Sequence, residues 1–171
     1  MPLLFMHSDD DPGVKIRPMV ADDLPAVSNL VVSAGNFNIT EIDCALELVD
    51  VYLTSESQKD HIVVIAEDSA SVVQAYACWV PVPLTRGAFD LYWIATNPNS
   101  RGRGFGRALM NYAENQVLKM EGRLLAVETS SKPSYTDTVK FYRGLGYAEE
   151  YRIRDFYDVG DDKLILVKRL S

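Results

Sequence analysis

The sequence predicts an α/β protein, a mixed sheet covered by helices on its faces, and three observations predict it. Segments with apolar residues three and four apart alternate with short β-branched and aromatic runs, so helices and strands interleave. Glycine or proline stands where the period changes, as at Gly35, Pro81, Gly122 and Gly146. Read in order, the elements run β, α, α, β, β, β, α, β, α, β, β, which matches a mixed sheet covered by helices.

Residues 1–13 are expected to form a flexible arm, because His7 to Gly13 carries three consecutive aspartates and then Pro12-Gly13. Residues 14–171 are expected to form a single domain, since 171 residues suit one well-cored unit better than two. Val14 to Pro18 reads as a strand. Asp22 or Asp23 then caps a helix that tolerates Pro25 in its first turn and buries Leu24, Val27, Leu30 or Val31, and Ala34. After a loop from Gly35 to Ile39, Thr40 with Asp43 resembles a capping box for a helix carrying Ile42, Leu46, Val49 and Leu53. Ile62 to Ala66 and Val72 to Val80 read as a hairpin, and Phe89 to Thr96 as the next strand. The helix from Ala108 to Glu121 presents Leu109, Ala113, Val117 and Met120 on one face. Leu124 to Thr129 is a strand, and Ser134 is positioned to cap a helix from Tyr135 to Leu145 with Val139 and Tyr142 or Phe141 inward. Tyr147 to Phe156 and Lys163 to Lys168 close the chain around Gly160-Asp161-Asp162.

A formal charge of −7 argues against non-specific binding to nucleic acid or anionic lipid, and no apolar run approaches the length of a membrane span. Cys44 and Cys78 stand far apart with no CxxC spacing, so a zinc site is not expected, and both read as reduced, buried thiols of a cytoplasmic protein. Against the acidic background, three of the seventeen basic residues cluster in Arg101-Gly102-Arg103-Gly104-Phe105-Gly106-Arg107. Glycines that let a backbone approach a ligand, followed by a helix whose first N–H groups point outward, make an anion cradle. Cations at a helix N-terminus oppose its dipole, and that oddity favours an anionic ligand there. A Walker-type loop needs Gly-Lys-Ser/Thr, which Arg107-Ala108 does not supply. A dinucleotide fingerprint needs a third glycine where Arg107 stands, although Glu128 lies near the distance of that fold's ribose-binding acid.

Arg101-x-x-Gly104-x-Gly106, following Ile94-Ala95-Thr96-Asn97-Pro98, resembles the acyl-CoA loop of the GNAT-type N-acetyltransferase superfamily. Phe141-Tyr142-Arg143-Gly144-Leu145-Gly146-Tyr147 is similar to that superfamily's late helix and its aromatic-tyrosine signature. The resemblance runs from Val14 to the end of the chain and implies a small single-domain member of bacterial type, with a central, mostly antiparallel sheet and helices on both faces. It implies acetyl-CoA as co-substrate, held through its pyrophosphate by Arg101 to Arg107 and through its pantetheine arm by Ile94, Ala95 and Thr96. It also implies direct transfer to a primary amine of a small molecule or peptide, without a metal, by a monomer or homodimer. The same fold also serves as a non-catalytic acyl-CoA-binding module, which is the alternative reading. Two positions depart from the pattern: Thr96 stands where valine is usual, and Tyr135 where an asparagine often lies.

Within that reading Tyr142 occupies the position that hydrogen-bonds or protonates the departing thiolate. A lysine-like amine of pKa about 10.4 needs roughly 4 to 5 kcal/mol to be neutral at pH 7, so a base or water relay has work to do. Asp90 and Glu128, on the strands before and after the loop, are the candidate carboxylates; a solvated strand-end acid and an arginine partner are their other readings. Asn36, Phe37, Tyr135, Asp155 and Tyr157 are candidates for the acceptor side, and aspartates 155, 158, 161 and 162 form either an acidic rim or ordinary turn residues.

Overall fold

The computed structural model describes residues 13–35, 37–55 and 60–171. Its elements are β1 (Lys15–Pro18), α1 (Leu24–Ser33), α2 (Ile39–Thr54), β2 (Ile62–Glu67), β3 (Val73–Pro81), β4 (Ala88–Thr96), α3 (Phe105–Lys119), β5 (Leu124–Ser130), α4 (Thr136–Gly144), β6 (Ala148–Asp158) and β7 (Asp161–Arg169). The seven strands follow the order β1-β2-β3-β4-β5-β7-β6, the mixed sheet that the alternating periods predict. The chain divides into two compact units, one made of the described residues up to Val80 with Trp93–Ala113, the other of Pro81–Tyr92 with Glu114–Ser171.

In the first unit β1, β2 and β3 pair antiparallel, and Ile65 and Val63 of β2 alternate with residues of the opposite face in keeping with a two-residue period. Val27 and Val31 of α1, Ala34 just past its end, and Ala45 and Val49 of α2 pack with Val63, Ile65, Tyr76, Cys78 and Ala95 into one buried cluster. The helix stripes spaced three and four apart therefore go where their period says they go. Arg17 binds this unit's acids: its guanidinium forks onto Asp23 at 2.7 and 2.8 Å, and its Nε donates to Glu67 Oε1 at 2.9 Å. Asp23 and Glu67 are both buried. Among the described residues, replacing Arg17 by Met leaves buried Asp23 with only the Val20 N–H and buried Glu67 with only Lys15, at 3.6 Å, and is expected to lower stability by about 3 kcal/mol in a denaturant titration. Hydrogen bonding from Arg17 holds the Asp23 carboxyl below its ordinary value. The stabilisation is accordingly present above pH about 4 and is lost as pH falls through that lowered value, and the Arg17→Met protein should lose this acid dependence.

In the second unit the first half of β4 pairs parallel with β5, placing Asp90 opposite Ala126, while β5, β7 and β6 pair antiparallel. Phe89, Leu91, Leu125, Val127, Leu164 and Leu166 are buried, and their neighbours Asp90, Ala126 and Glu128 occupy the more open face. Tyr147 donates to Glu114 Oε1 at 3.1 Å and Lys168 pairs with Glu114 Oε2 at 2.6 Å, so this buried acid is satisfied twice. Beyond the end of α3, Gly122 N closes back onto Val117 O at 2.8 Å, an approach only glycine allows, since a Cβ there would stand 2.3 Å from Val117 Cγ1.

Several local expectations need correction. The cap of α2 is Asn38, not Thr40: Asn38 Oδ1 accepts from Glu41 N at 2.9 Å and Glu41 Oε2 from Asn38 N at 2.7 Å. Asparagine caps better than threonine, and glutamate reaches back where Asp43 is too short. Helix α3 starts at Phe105, three residues before Ala108, because Gly104 O already accepts the Ala108 N–H at 2.9 Å. Met120 lies past the end of that helix and is exposed. Ser134 sits inside a short 3-10 turn, Pro133–Tyr135, and α4 begins only at Thr136. Cys44 is exposed, because the α2 stripe facing the core runs through Ala45 and Val49 instead; Cys78 is buried as expected.

Candidate active site

The glycine loop lies in the first unit, between the end of β4 and the start of α3. Ala95 is buried, Ile94 and Thr96 are half-buried, and the chain then makes a short 3-10 turn, Pro98–Ser100, with Asn97 Oδ1 accepting from Asn99 N at 3.0 Å. Gly102 and Gly104 take φ of +76° and +90°, conformations that a side chain resists. At Gly102 the need is conformational and not steric crowding, since an added Cβ would meet nothing within 4 Å. Phe105 is buried and anchors the first turn of α3, whose N–H groups at Phe105, Gly106 and Arg107 have no carbonyl one turn earlier in the helix to bond. A flexible backbone, open space at Gly102 and unbonded helix N–H groups are what a pyrophosphate needs, and the loop offers all three.

The three arginines do different things. Arg101 donates its guanidinium to the Ala34 carbonyl at the end of α1, tying the loop to that helix. The Arg103 guanidinium lies 5.6 Å from the Phe105 ring centroid, and Arg107 is exposed. Behind the loop, Gln74 of β3 is buried and donates from Nε2 to Asp68 Oδ2 at 2.9 Å. Its Oε1 accepts from Ser100 Oγ at 2.7 Å and from Asn97 Nδ2 at 3.0 Å, and its backbone carbonyl accepts from Asn97 N at 2.8 Å. The Asp68 carboxyl is held below its ordinary value, first by the Val72 N–H and next by Gln74, with a small contribution from the Arg103 charge. Phe37 packs edge-on against Trp93, ring centroids 5.2 Å apart; Asn36 lies outside the described residues.

The candidate acid and base residues lie in the second unit. Asp90 and Glu128 share one face of the β4–β5 pair, since Asp90 is opposite Ala126 and Glu128 is two residues further on. Burial, and then the charge of Glu128, raises the Asp90 carboxyl above its ordinary value against the opposing pull of Lys163. Glu128 is tied on both oxygens: Lys163 Nζ pairs with Oε2 at 2.5 Å and the Tyr157 hydroxyl donates to Oε1 at 2.6 Å. Lys163 Nζ also stands 4.6 Å from the Phe156 ring centroid, and Phe156 meets Tyr157 edge-on at 5.0 Å. Asp155, at φ +50°, lies in β6 where the register shifts between Ile153 and Asp158, and accepts from Gly160 N of the β6–β7 turn at 2.6 Å. Tyr135 is buried beside Lys132, whose Nζ is 5.2 Å from its ring. Tyr142 is buried between Phe141 and Tyr147, at 5.2 and 5.6 Å, and burial pushes its hydroxyl well above the ordinary tyrosine value. Among the described residues no group of three His, Cys, Asp or Glu side chains is arranged to hold a metal, and no helix is long and apolar enough to cross a membrane.

Gln74, Lys163 and Phe156 are the residues that sequence reasoning missed as parts of these clusters. Gln74 left a signal, as the polar side chain in the otherwise apolar run from Val72 to Val80. Lys163 and Phe156 stand in the segment from Asp155 to Lys163 that the sequence does single out, but their meeting with Glu128 depends on strand register.

A family model described as an acetyltransferase (GNAT) domain matches residues 58–149. The chain is 37% identical to a protein of known structure assigned to the GNAT acetyltransferases from Desulfovibrio desulfuricans, with a TM-score of 0.85 over 92% of this chain and 99% of that one. It is 25% identical over 151 residues, 84% of each chain, to the S-alkylcysteine N-acetyltransferase of Bacillus subtilis (strain 168). A protein from Salmonella typhimurium solved with its cofactor acetyl-CoA shares the fold, with a TM-score of 0.69, 14% identity, and coverage of 93% of this chain and 95% of that one.

Proposed function

The chain belongs to the acetyltransferase (GNAT) family and is an acyl-CoA-dependent N-acetyltransferase, and from that premise we propose that it passes the acetyl group of acetyl-CoA directly to a primary amine of a small molecule or peptide. The observation that carries the reading is the loop of Gly102 and Gly104 at positive φ running into the open first turn of α3. Acetyl-CoA supplies an activated acyl group when bound. The N–H groups of Gly104 to Arg107 take its pyrophosphate, Arg103 and Arg107 add positive charge, and Ile94 to Thr96 offer backbone to its pantetheine arm. The Bacillus subtilis relative, named for acetylating S-alkylcysteine, supports an acceptor of small size.

On the acceptor side the two carboxylates divide the labour. Glu128, committed to Lys163 and Tyr157, orders that face, while half-buried Asp90 makes no such bond among the described residues and has a raised pKa, which suits a proton acceptor. Asp90 receives the proton that the acceptor's ammonium must lose before its nitrogen can bond the acetyl carbon. Tyr142 donates a hydrogen bond to the sulfur as the carbon–sulfur bond breaks. In the second unit Tyr135 and Tyr157 are the acceptor-side contacts and Asp155 acts through its bond to the Gly160 N–H; in the first unit Phe37 is the acceptor-side candidate.

Two measurements test the reading. Coenzyme A is expected to raise the unfolding temperature, and thiol is expected to be released from acetyl-CoA in the presence of at least one member of a panel of amino acids, polyamines and peptides. Stabilisation without thiol release on the whole panel would overturn transfer to an amine. Replacing Asp90 by Asn is expected to lower kcat/KM about 100-fold. Activity of the parent protein declines as pH falls through an apparent pKa above the ordinary carboxylate value of about 3.9, and Asp90→Asn removes that limb. A pH profile identical in the two proteins would remove Asp90 from the role of base.

A further inference from the structure

A buried amide stands behind the glycine loop, and its hydrogen bonds run in one direction. The Asp68 carboxylate turns the β2–β3 hairpin by accepting from Ala70 N at 2.9 Å and Val72 N at 3.0 Å, and its second oxygen accepts from Gln74 Nε2. A carboxylate has only acceptors to offer, so it selects the amide's donor end and leaves Gln74 Oε1 facing the loop. That single oxygen receives both Ser100 Oγ and Asn97 Nδ2. Asn97 in turn caps the Pro98–Ser100 turn, and Ser100 O accepts from Arg103 N at 3.3 Å, one residue before Gly104. The chain of contacts therefore leads from a surface turn, through one buried side chain, to the glycines themselves.

We propose that Gln74, oriented by Asp68, is a positioning residue for acetyl-CoA: it holds the loop in its binding geometry and so sets affinity for the co-substrate without taking part in the chemistry. The inference rests on the acetyl-CoA reading of the loop. Its physical basis is the cost of ordering. A glycine-rich loop has many conformations to lose, and whatever part of that loss is met in the ligand-free protein is not charged against binding. Gln74 anchors the loop's entry at three points, two by side chain and one by backbone. Gly102 and Gly104 follow within a few residues, so a loosened Ser100 reaches them directly.

The test measures coenzyme A binding by calorimetry and acetyl transfer by thiol release. Gln74→Leu keeps the volume and removes both loop contacts; the dissociation constant for coenzyme A and the KM for acetyl-CoA are expected to rise about tenfold or more, a loss of one to two hydrogen bonds, with kcat at saturating acetyl-CoA changed less than about twofold. Gln74→Glu alone sets two carboxylates face to face and is expected to bind as weakly. The pair Gln74→Glu with Asp68→Asn restores a donor opposite an acceptor, keeps an oxygen toward Ser100 and Asn97, and is expected to recover affinity. Unchanged affinity in Gln74→Leu, or a fall in kcat and unfolding temperature with affinity intact, overturns the proposal while leaving the acetyl-CoA reading in place. Should Gln74→Leu fail to fold, the paired variant decides, since weak binding there counts against the proposal. Failure of the unaltered protein to bind coenzyme A overturns both.

Discussion

Replacing Gly104 by Val is expected to weaken coenzyme A binding about 30-fold, the equivalent of roughly 2 kcal/mol, with little effect on the unfolding temperature of the ligand-free protein. At φ +90° a β-branched side chain collides with its own backbone, and the residue relaxes to negative φ. That relaxation turns the peptide groups that lead into α3, whose start is marked by the bond from Ala108 N to Gly104 O. The loop is exposed from Arg101 to Gly104, so the rearrangement disturbs no buried packing. Calorimetric titration with coenzyme A measures the loss. Affinity equal to that of the unaltered protein would count against the assignment of this loop to the pyrophosphate.

Replacing Tyr142 by Phe is expected to lower kcat about 100-fold while coenzyme A affinity stays within a factor of about two. The ring remains, so the edge-on contacts with Phe141 and Tyr147 are kept and the fold is retained. What is lost is the hydroxyl. Burial raises the pKa of that hydroxyl further above the value of about 8.5 for a free thiol, so full proton transfer to the sulfur is uphill and hydrogen bonding is the role that remains. A raised pKa also keeps the hydroxyl protonated, and so a donor, throughout the working pH range. Thioester donors with a poorer leaving thiolate should feel the substitution more, and a rate equal to that of the parent would remove Tyr142 from the mechanism.

Helix stripes and strand runs were legible because periodicity is a local property. The α1 residues Val27 and Val31, Ala34 just past that helix, and the β3 residues Ala75 to Val80 are buried where their spacing puts them. Boundaries were less legible, since caps compete at neighbouring positions: Asn38 prevailed over Thr40 because Glu41, at the third helical position, reaches back to the Asn38 N–H. Cys44 shows the same limit, because one step around a helix separates the buried Ala45 from an exposed thiol.

By itself the sequence determined the order of elements, the mixed sheet and the position of the glycine loop between β4 and α3, because each is written in residues close together along the chain. Only the tertiary structure decided what those loop residues do. Arg101 reads as an anion ligand in the sequence, but its guanidinium is bonded to the Ala34 carbonyl, 67 residues away. Asp90 and Glu128 read as equivalent acids until strand register gives Glu128 the company of Lys163 and Tyr157 and leaves Asp90 with a raised pKa. Gln74 is a lone polar residue in a strand until Ser100 and Asn97 meet its oxygen. Spacing sets which side chains are available, whereas their partners, burial and charge are set by segments that approach only once the chain has folded.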